Sequence, residues 1–290
     1  MASQGIAERV GRRVAEAGGE DRVAIEVDAH GVADVRLARP DKLNAVDDAM
    51  FVAVATAGRE LARERGLRAV VLSGEGRGFC AGLDTSSFAR LAGAGRGDDG
   101  GGFRALDPAP GSPATRAQEF AWAWVELPVP VIAAVHGVCF GAGIQLALAA
   151  DIRFAAPDAR LSIMEMRWGL VPDVTGTQTL RRLLPLDVAK ELAFTARIVS
   201  GAEAVDLGLV THVADAPHEA ATALAREIAG RSPDAVRAVK RLLQASASDD
   251  EAHGLAREAA EQRRLIGSRN QVEAVAANLE KRAPRFDDPA

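Results

Sequence analysis

The chain has 290 residues, 48% hydrophobic and 26% charged, an ordinary composition for one large globular domain or a core with an appendage. With 35 basic against 40 acidic side chains the net charge is −5, which argues against a nucleic-acid binder, since that would show a basic excess or stripe. Two cysteines, Cys80 and Cys139, are too few for a disulfide scaffold and point to a reducing, cytoplasmic setting.

Residues 1–21 are polar, carry no apolar run of signal-peptide length, and suggest a short helix over Ile6–Ala17. Val23–Val27 and Val32–Leu37 alternate around His30-Gly31, a hairpin pattern. Asp47 to Arg65 has helical spacing with Asp47 as N-cap. Arg68–Ser73 reads as a short buried strand leading to Gly74, Gly76 and Gly78. Seven glycines and two prolines between Gly93 and Gly111 fit no packed element and predict a mobile surface loop. A helix over Thr115–Leu127 stops at Pro128; then come strand Val131–Val135, a Gly-rich turn, and a helix over Ala142–Ala149. The stretch Val129 to Ala150 is the most apolar, but Pro130, His136 and Gln145 interrupt it, so no membrane span is expected. Asp151–Ala155 and Arg160–Met164 read as further strands. This rhythm argues for an α/β chain with a largely parallel sheet and crossover helices. After Pro185, residues 187–196, 201–207, 216–230, 233–246 and 250–281 read as helices, the last with an apolar stripe at Val272, Val275, Ala276 and Leu279.

Two Gly-rich segments follow expected strands: Gly78-Phe-Cys-Ala-Gly-Leu-Asp84 and His136-Gly-Val-Cys-Phe-Gly-Ala-Gly-Ile-Gln145. Backbone N–H groups in such turns, or at the helix N-terminus that follows the second, could converge on a developing oxyanion. Neither segment is a phosphate loop, and Gly141-x-Gly143 is too short to mark a dinucleotide site. No metal-ligand spacing exists; His136 reads as a packed histidine, and His30, His212, His218 and His253 are scattered. Taken alone, Glu165 reads as a surface acid after a strand and Asp173, after Pro172, as a turn residue.

The order of the segments says more. Ala38-Arg-Pro-Asp-Lys-Leu-Asn-Ala-Val46, Phe79–Asp84, Val131-Ile-Ala-Ala-Val-His-Gly137, Phe140-Gly-Ala-Gly-Ile-Gln-Leu-Ala147, Ala150-Asp-Ile-Arg-Phe-Ala155 and Trp168-Gly-Leu-Val-Pro172 together resemble the crotonase (enoyl-CoA hydratase/isomerase) superfamily, over about Val23 to Phe286. Asp173, Asp151-Ile-Arg-Phe and Phe194-Thr-Ala-Arg197 look most like its dienoyl-CoA isomerase branch. The resemblance implies a crotonase-like spiral of ββα units over residues 22–200 and a C-terminal helical region, 201–290, that trimerises into a homotrimer or hexamer. It implies an acyl-CoA thioester as substrate, with no bound cofactor, no metal, and neither nucleic acid nor membrane as partner. Leu83 and Ala142 match the oxyanion-hole positions; Lys42, Leu43, Asn44, Ala81, Gly82, Asp84 and Gly141 match positions lining the CoA path.

Hydratases of the family carry two glutamates, and here Gln145 stands at the first position and Glu165 at the second. An amide cannot accept a proton at neutral pH. The resemblance therefore implies Glu165 as a one-base proton shuttle, Gln145 as a residue that positions substrate or water, and Asp173 as a second acid. Double-bond isomerisation is expected to exceed hydration. The alternatives are a hydratase using Glu165 with Gln145 and Asp173, and a non-catalytic acyl-CoA-binding member.

Overall fold

In the computed structural model, which describes residues 2–19, 21–87 and 104–289, the first helix is α1, Ala2–Glu16. Ile6, Val10 and Val14, one turn apart along it, are buried in the main core. Val23–Val27 (β1) and Val32–Leu37 (β2) form the expected antiparallel hairpin, with Val23 opposite Leu37. Gly31, in the turn, adopts φ +77°, and a side chain there would meet the Gly66 carbonyl at 2.5 Å. Helix α2, Asp48–Ala62, starts where Asp47 accepts the Met50 N–H at 2.8 Å.

Ala69–Gly74 (β3), Val131–Val135 (β4), Ile152–Ala155 (β6) and His212–Val213 (β9) extend the hairpin in parallel, giving the order β1-β2-β3-β4-β6-β9. Val138–Phe140 (β5), Arg160–Ser162 (β7) and Val199–Ser200 (β8) form a second, three-stranded sheet. Successive strands alternate between the sheets: β4 leads to β5 and helix α4, Ala142–Ala149; β6 leads to β7 and helix α5, Gly176–Leu183. The preceding turn of the spiral does the same in reduced form, with Cys80 bridging to Cys139 before helix α3, Glu119–Val125.

Both faces of the large sheet are covered, which explains why its strands read as continuous apolar runs. Val35, Leu37, Val70, Leu72, Val131, Ala133 and Val135 join α1 to α4 in the main core. The alternate residues Val32, Ala69, Val71, Ile132 and Ala134 pack on Ala221 and Ala225 of helix α8, Pro217–Ala229. The remaining helices are α6, Leu186–Thr195; α7, Gly201–Asp206; α9, Pro233–Ser246; α10, Glu251–Leu265; and α11, Arg269–Glu280. Among the described residues no helix is long and apolar enough to cross a membrane.

Several expectations need correcting. The turn expected after Val135 contains β5, a three-residue strand visible only through its pairing with β7. The strand expected over Arg160–Met164 ends at Ser162, and Met164–Trp168 is a 3-10 turn. Helix α5 was not expected. The single helix expected over 250–281 is two, because Gly267 takes φ +76° and Ser268 caps α11 by accepting the Gln271 N–H. Of the mobile loop expected over 93–111, residues 93–103 lie outside the described residues. Residues 104–111 are held, with a 3-10 turn at Arg104–Leu106 and Arg116 and Ala117 donating to the Asp107 and Ala105 carbonyls.

Helix α9 is tied to the sheet by a buried charge. Lys240 donates to Asp151 Oδ2 at 2.8 Å and to the Val129 carbonyl at 2.9 Å, and Asp151 also accepts the Val131 N–H. Asp151→Ala leaves the ammonium buried and unpaired, so a urea-unfolding midpoint should fall by the equivalent of about 3 kcal/mol. Lys240→Met, which keeps the apolar stem, should cost clearly less; equal losses would contradict this assignment.

Candidate active site

The two Gly-rich turns touch. Cys80 N–H donates to the Val138 carbonyl at 3.0 Å and Phe140 N–H to the Cys80 carbonyl at 2.9 Å. Gly82 (φ +87°) and Gly141 (φ +53°) meet where these strands end. A Cβ on Gly82 would lie 2.7 Å from the Phe140 carbonyl oxygen, and one on Gly143 2.6 Å from Cys80 Cβ, so only glycine permits the approach. On the far side, Val46 N–H donates to Gly82 O at 2.8 Å and Asp84 N–H to Val46 O at 2.9 Å. These bonds flank Leu83, so the Leu83 N–H points to the opposite edge. Ala142 is the first residue of α4, and its N–H has no acceptor within the helix. Two backbone donors, the Leu83 and Ala142 N–H groups, thus project from adjoining turns.

Glu165 lies on the 3-10 turn after β7 and is 9% exposed. A Cβ built on Gly141 would be 3.3 Å from Glu165 Oε1, so the carboxylate lies against the second turn. Gln145 Nε2 donates to Glu165 Oε1 at 2.5 Å, and Gln145 Oε1 accepts the Gly176 N–H at 3.0 Å. Because a backbone N–H can only donate, it must face the amide oxygen, and this turns the amide NH2 toward Glu165. Glu165 Oε2 is buried with no hydrogen-bond partner among the described residues. Burial pushes the Glu165 carboxyl up to about 7; the Gln145 bond opposes this, and the nearby Asp173 carboxylate adds to it. Asp173 is exposed at the rim, and the protein packed around it raises its carboxyl as well.

Of the residues expected along the CoA path, Lys42 is exposed at the end of a 3-10 turn, Pro40–Lys42. Leu43 and Asn44 follow in left-handed conformations, φ +51° and +55°. Asn44 is fully buried, and its side chain is taken up by the protein: it accepts the Arg39 N–H and donates to the Glu75 and Gly78 carbonyls. It clamps the 39–46 segment onto the first turn, assisted by the Ala81 N–H donating to Leu43 O. The Asp84 carboxylate is likewise occupied. It accepts from Ser86 and pairs with Arg39 at 2.6 Å, which hold its carboxyl down at about 2. At these two positions only backbone remains for a ligand. Cys80 is wholly buried and its thiol is pushed up to about 12, so it is no nucleophile.

Gly176 is the site residue that sequence reasoning missed. A Cβ there would clash with Gln145 Oε1 at 2.6 Å and Pro172 Cβ at 2.9 Å. Its only sequence signal is a glycine opening an unrecognised helix. Arg39 was missed too, since nothing local pairs it with Asp84, 45 residues on.

Comparison with known proteins agrees with this fold. The family model described as enoyl-CoA hydratase/isomerase matches residues 28–289. The chain is 35% identical over 263 residues to "Enoyl-CoA hydratase domain-containing protein 2, mitochondrial" of Bos taurus, covering 88% of this chain and 84% of that one. It is 34% identical over 252 residues to the peroxisomal "Delta(3,5)-Delta(2,4)-dienoyl-CoA isomerase" of Arabidopsis thaliana, covering 86% and 90%. The crystal structure of an enoyl-CoA hydratase from Mycobacterium tuberculosis superimposes with a TM-score of 0.80 at 30% identity, over 93% of this chain and 100% of that one.

Two outcomes follow from the geometry. Ala142→Pro should preserve the helix, since proline is tolerated at its first position, yet remove one of the two donors. Turnover should drop about 10²–10³-fold, and full activity would refute the oxyanion-hole assignment. Separately, the folded Glu165 carboxyl at about 7 against an ordinary 4.5 means the folded protein binds more protons between those values. Its contribution to stability is complete below about 4.5 and is lost as pH rises through about 7. Glu165→Gln should therefore raise the urea midpoint more at pH 8 than at pH 4.5; equal effects at the two pH values would place the carboxylate in solvent.

Proposed function

The chain belongs to the enoyl-CoA hydratase/isomerase family, and from that membership we propose that it moves the double bond of 3-enoyl- or dienoyl-CoA thioesters, with Glu165 as the proton shuttle. One observation carries this reading: the buried carboxylate beside the two backbone donors has an amide, Gln145, where a second carboxylate would stand. The thioester oxygen accepts from the Leu83 and Ala142 N–H groups. Charge then develops on that oxygen as the C2–H bond breaks, and the proton passes to Glu165. Returning it to C4 of a 3-enoyl chain, or to C6 of a 3,5-dienoyl chain, leaves a double bond between C2 and C3. A carboxyl near 7 suits both halves, since it neither holds the proton too tightly nor releases it too early at neutral pH. Hydration needs a second group to activate water, and an amide cannot do this.

The second reading, hydration, is favoured by Asp173, whose carboxylate is near enough to act on Glu165. A purely binding role is the least supported: a buried carboxylate with an unpartnered oxygen is costly and serves nothing in a protein that only holds acyl-CoA. Lys42, exposed within the 39–46 segment, would meet a CoA phosphate, and backbone at 43–44 and 81–83 would border the pantetheine.

Turnover of 3-hexenoyl-CoA should exceed hydration of crotonyl-CoA. Glu165→Gln should lower it about 10²–10⁴-fold. Isomerase kcat/KM should climb with pH through about 7 as Glu165 ionises. Dominant hydration that survives Asp173→Asn, or isomerisation indifferent to Glu165→Gln, would show the base misassigned. As for assembly, Leu255 of α10 and Val272, Val275 and Leu279 of α11 are all about half exposed or more, an apolar face suited to burial against other copies. A homotrimer or hexamer is expected by light scattering; a stable monomer at micromolar concentration would contradict it.

A further inference from the structure

We infer that Gln145 is a positioning residue for the shuttle: it pins Glu165 through Oε1 and so assigns the moving proton to Oε2. The inference rests on Glu165 being the base. Gln145 is 1% exposed, and both ends of its amide are taken up by the protein, by the Gly176 N–H on one side and Glu165 Oε1 on the other. Its bonds therefore run to Glu165 and Gly176, whereas its position in the sequence suggests a contact to substrate or water. The contact is close at its origin, since a side chain at Gly176 would collide with the amide oxygen. The amide cannot rotate without facing N–H against N–H. Glu165 Oε1 is thus fixed by a short, charge-assisted bond, while Oε2 is buried and has no donor among the described residues. The oxygen without a donor is the more basic of the two.

The step balances as follows. The C2–H bond breaks and its proton joins Oε2, while the electron pair moves toward the thioester oxygen. For a 3-enoyl-CoA the Oε2–H bond then breaks as the C3=C4 pair takes the proton at C4, while the pair on the thioester oxygen returns to restore the carbonyl and C2=C3 forms, regenerating the carboxylate. The charged group set against Glu165 is Asp173, on the segment leading to α5; α4 contributes the neutral Gln145, and α5 the neutral backbone of Gly176.

The test compares kcat, KM and the pH dependence of kcat/KM for a 3-enoyl-CoA in wild type, Gln145→Met, Gln145→Glu and Glu165→Gln. Gln145→Met should lower kcat about 10–10²-fold through misplacement of the base. Its KM should change less than about twofold, and its rising limb should move to higher pH, because the lost bond favoured the ionised form. Gln145→Glu can share one proton with Glu165 and still accept from Gly176. It should keep kcat within about tenfold of wild type at neutral pH and acquire a falling limb at high pH as the shared proton leaves. If Gln145→Met fails to fold, that falling limb decides alone. A wild-type profile in every Gln145 variant that folds, or a raised KM with unchanged kcat, would overturn the proposal. If Glu165→Gln is inactive in that case, the base assignment stands without it; if Glu165→Gln is fully active, both fall.

Discussion

The site depends on the close approach of two backbone turns. Cys80 lies between the Val138 and Phe140 peptides, and the ladder it makes carries Gly82 and Gly141 into contact. No side chain fits at that crossing, and both glycines take positive φ. Each turn presents a donor directly after its glycine. Their spacing is set by the strand pairing, so the two donors proposed as an oxyanion hole are held by the same hydrogen bonds that join the first turn to β5. Donors of this kind need no reorganisation when charge appears, which is the physical source of their effect on rate.

Around that crossing the chain spends its buried polar groups on position. Asn44 donates its amide to the Glu75 and Gly78 carbonyls and accepts the Arg39 N–H, and Asp84 is neutralised by Arg39. Gln145 links α5 to Glu165. Glu165 Oε2 is left without a donor among the described residues, in a region that disfavours charge. That arrangement destabilises the ionised protein slightly and keeps the carboxyl near neutrality. A second carboxylate at Gln145 would sit against Glu165 and couple the two titrations, whereas the amide leaves a single base with one engaged and one open oxygen.

The spiral supplies the framework. Strands leave the large sheet, make a few pairs in the small one, and return through a helix, so the ends of β5 and β7 arrive beside the first turn. Their helices, α4 and α5, then bring Gln145 and Gly176 together from positions 31 residues apart. The exposed apolar side chains of α10 and α11 lie outside this framework.

Much of this was legible in the sequence. The hairpin, β4, α4 and α9 followed from alternation, capping and proline placement, because local propensities there agree with the packing. The order of the Gly-rich segments pointed to the superfamily, and with it to Leu83, Ala142 and Glu165. What stayed hidden was non-local. Strand β5 is too short to show any periodicity and exists only through β7. Gly267 splits the last helix by a backbone angle that a helical pattern does not reveal. Asn44 and Asp84 carry side chains suited to ligands, but tertiary partners consume them. The sequence suggests that Gln145 meets substrate or water, and its bond to the Gly176 N–H exists only in the fold. Residue type and spacing determine which groups can do chemistry; which lone pairs and N–H groups remain free depends on partners that only folding brings within hydrogen-bond distance.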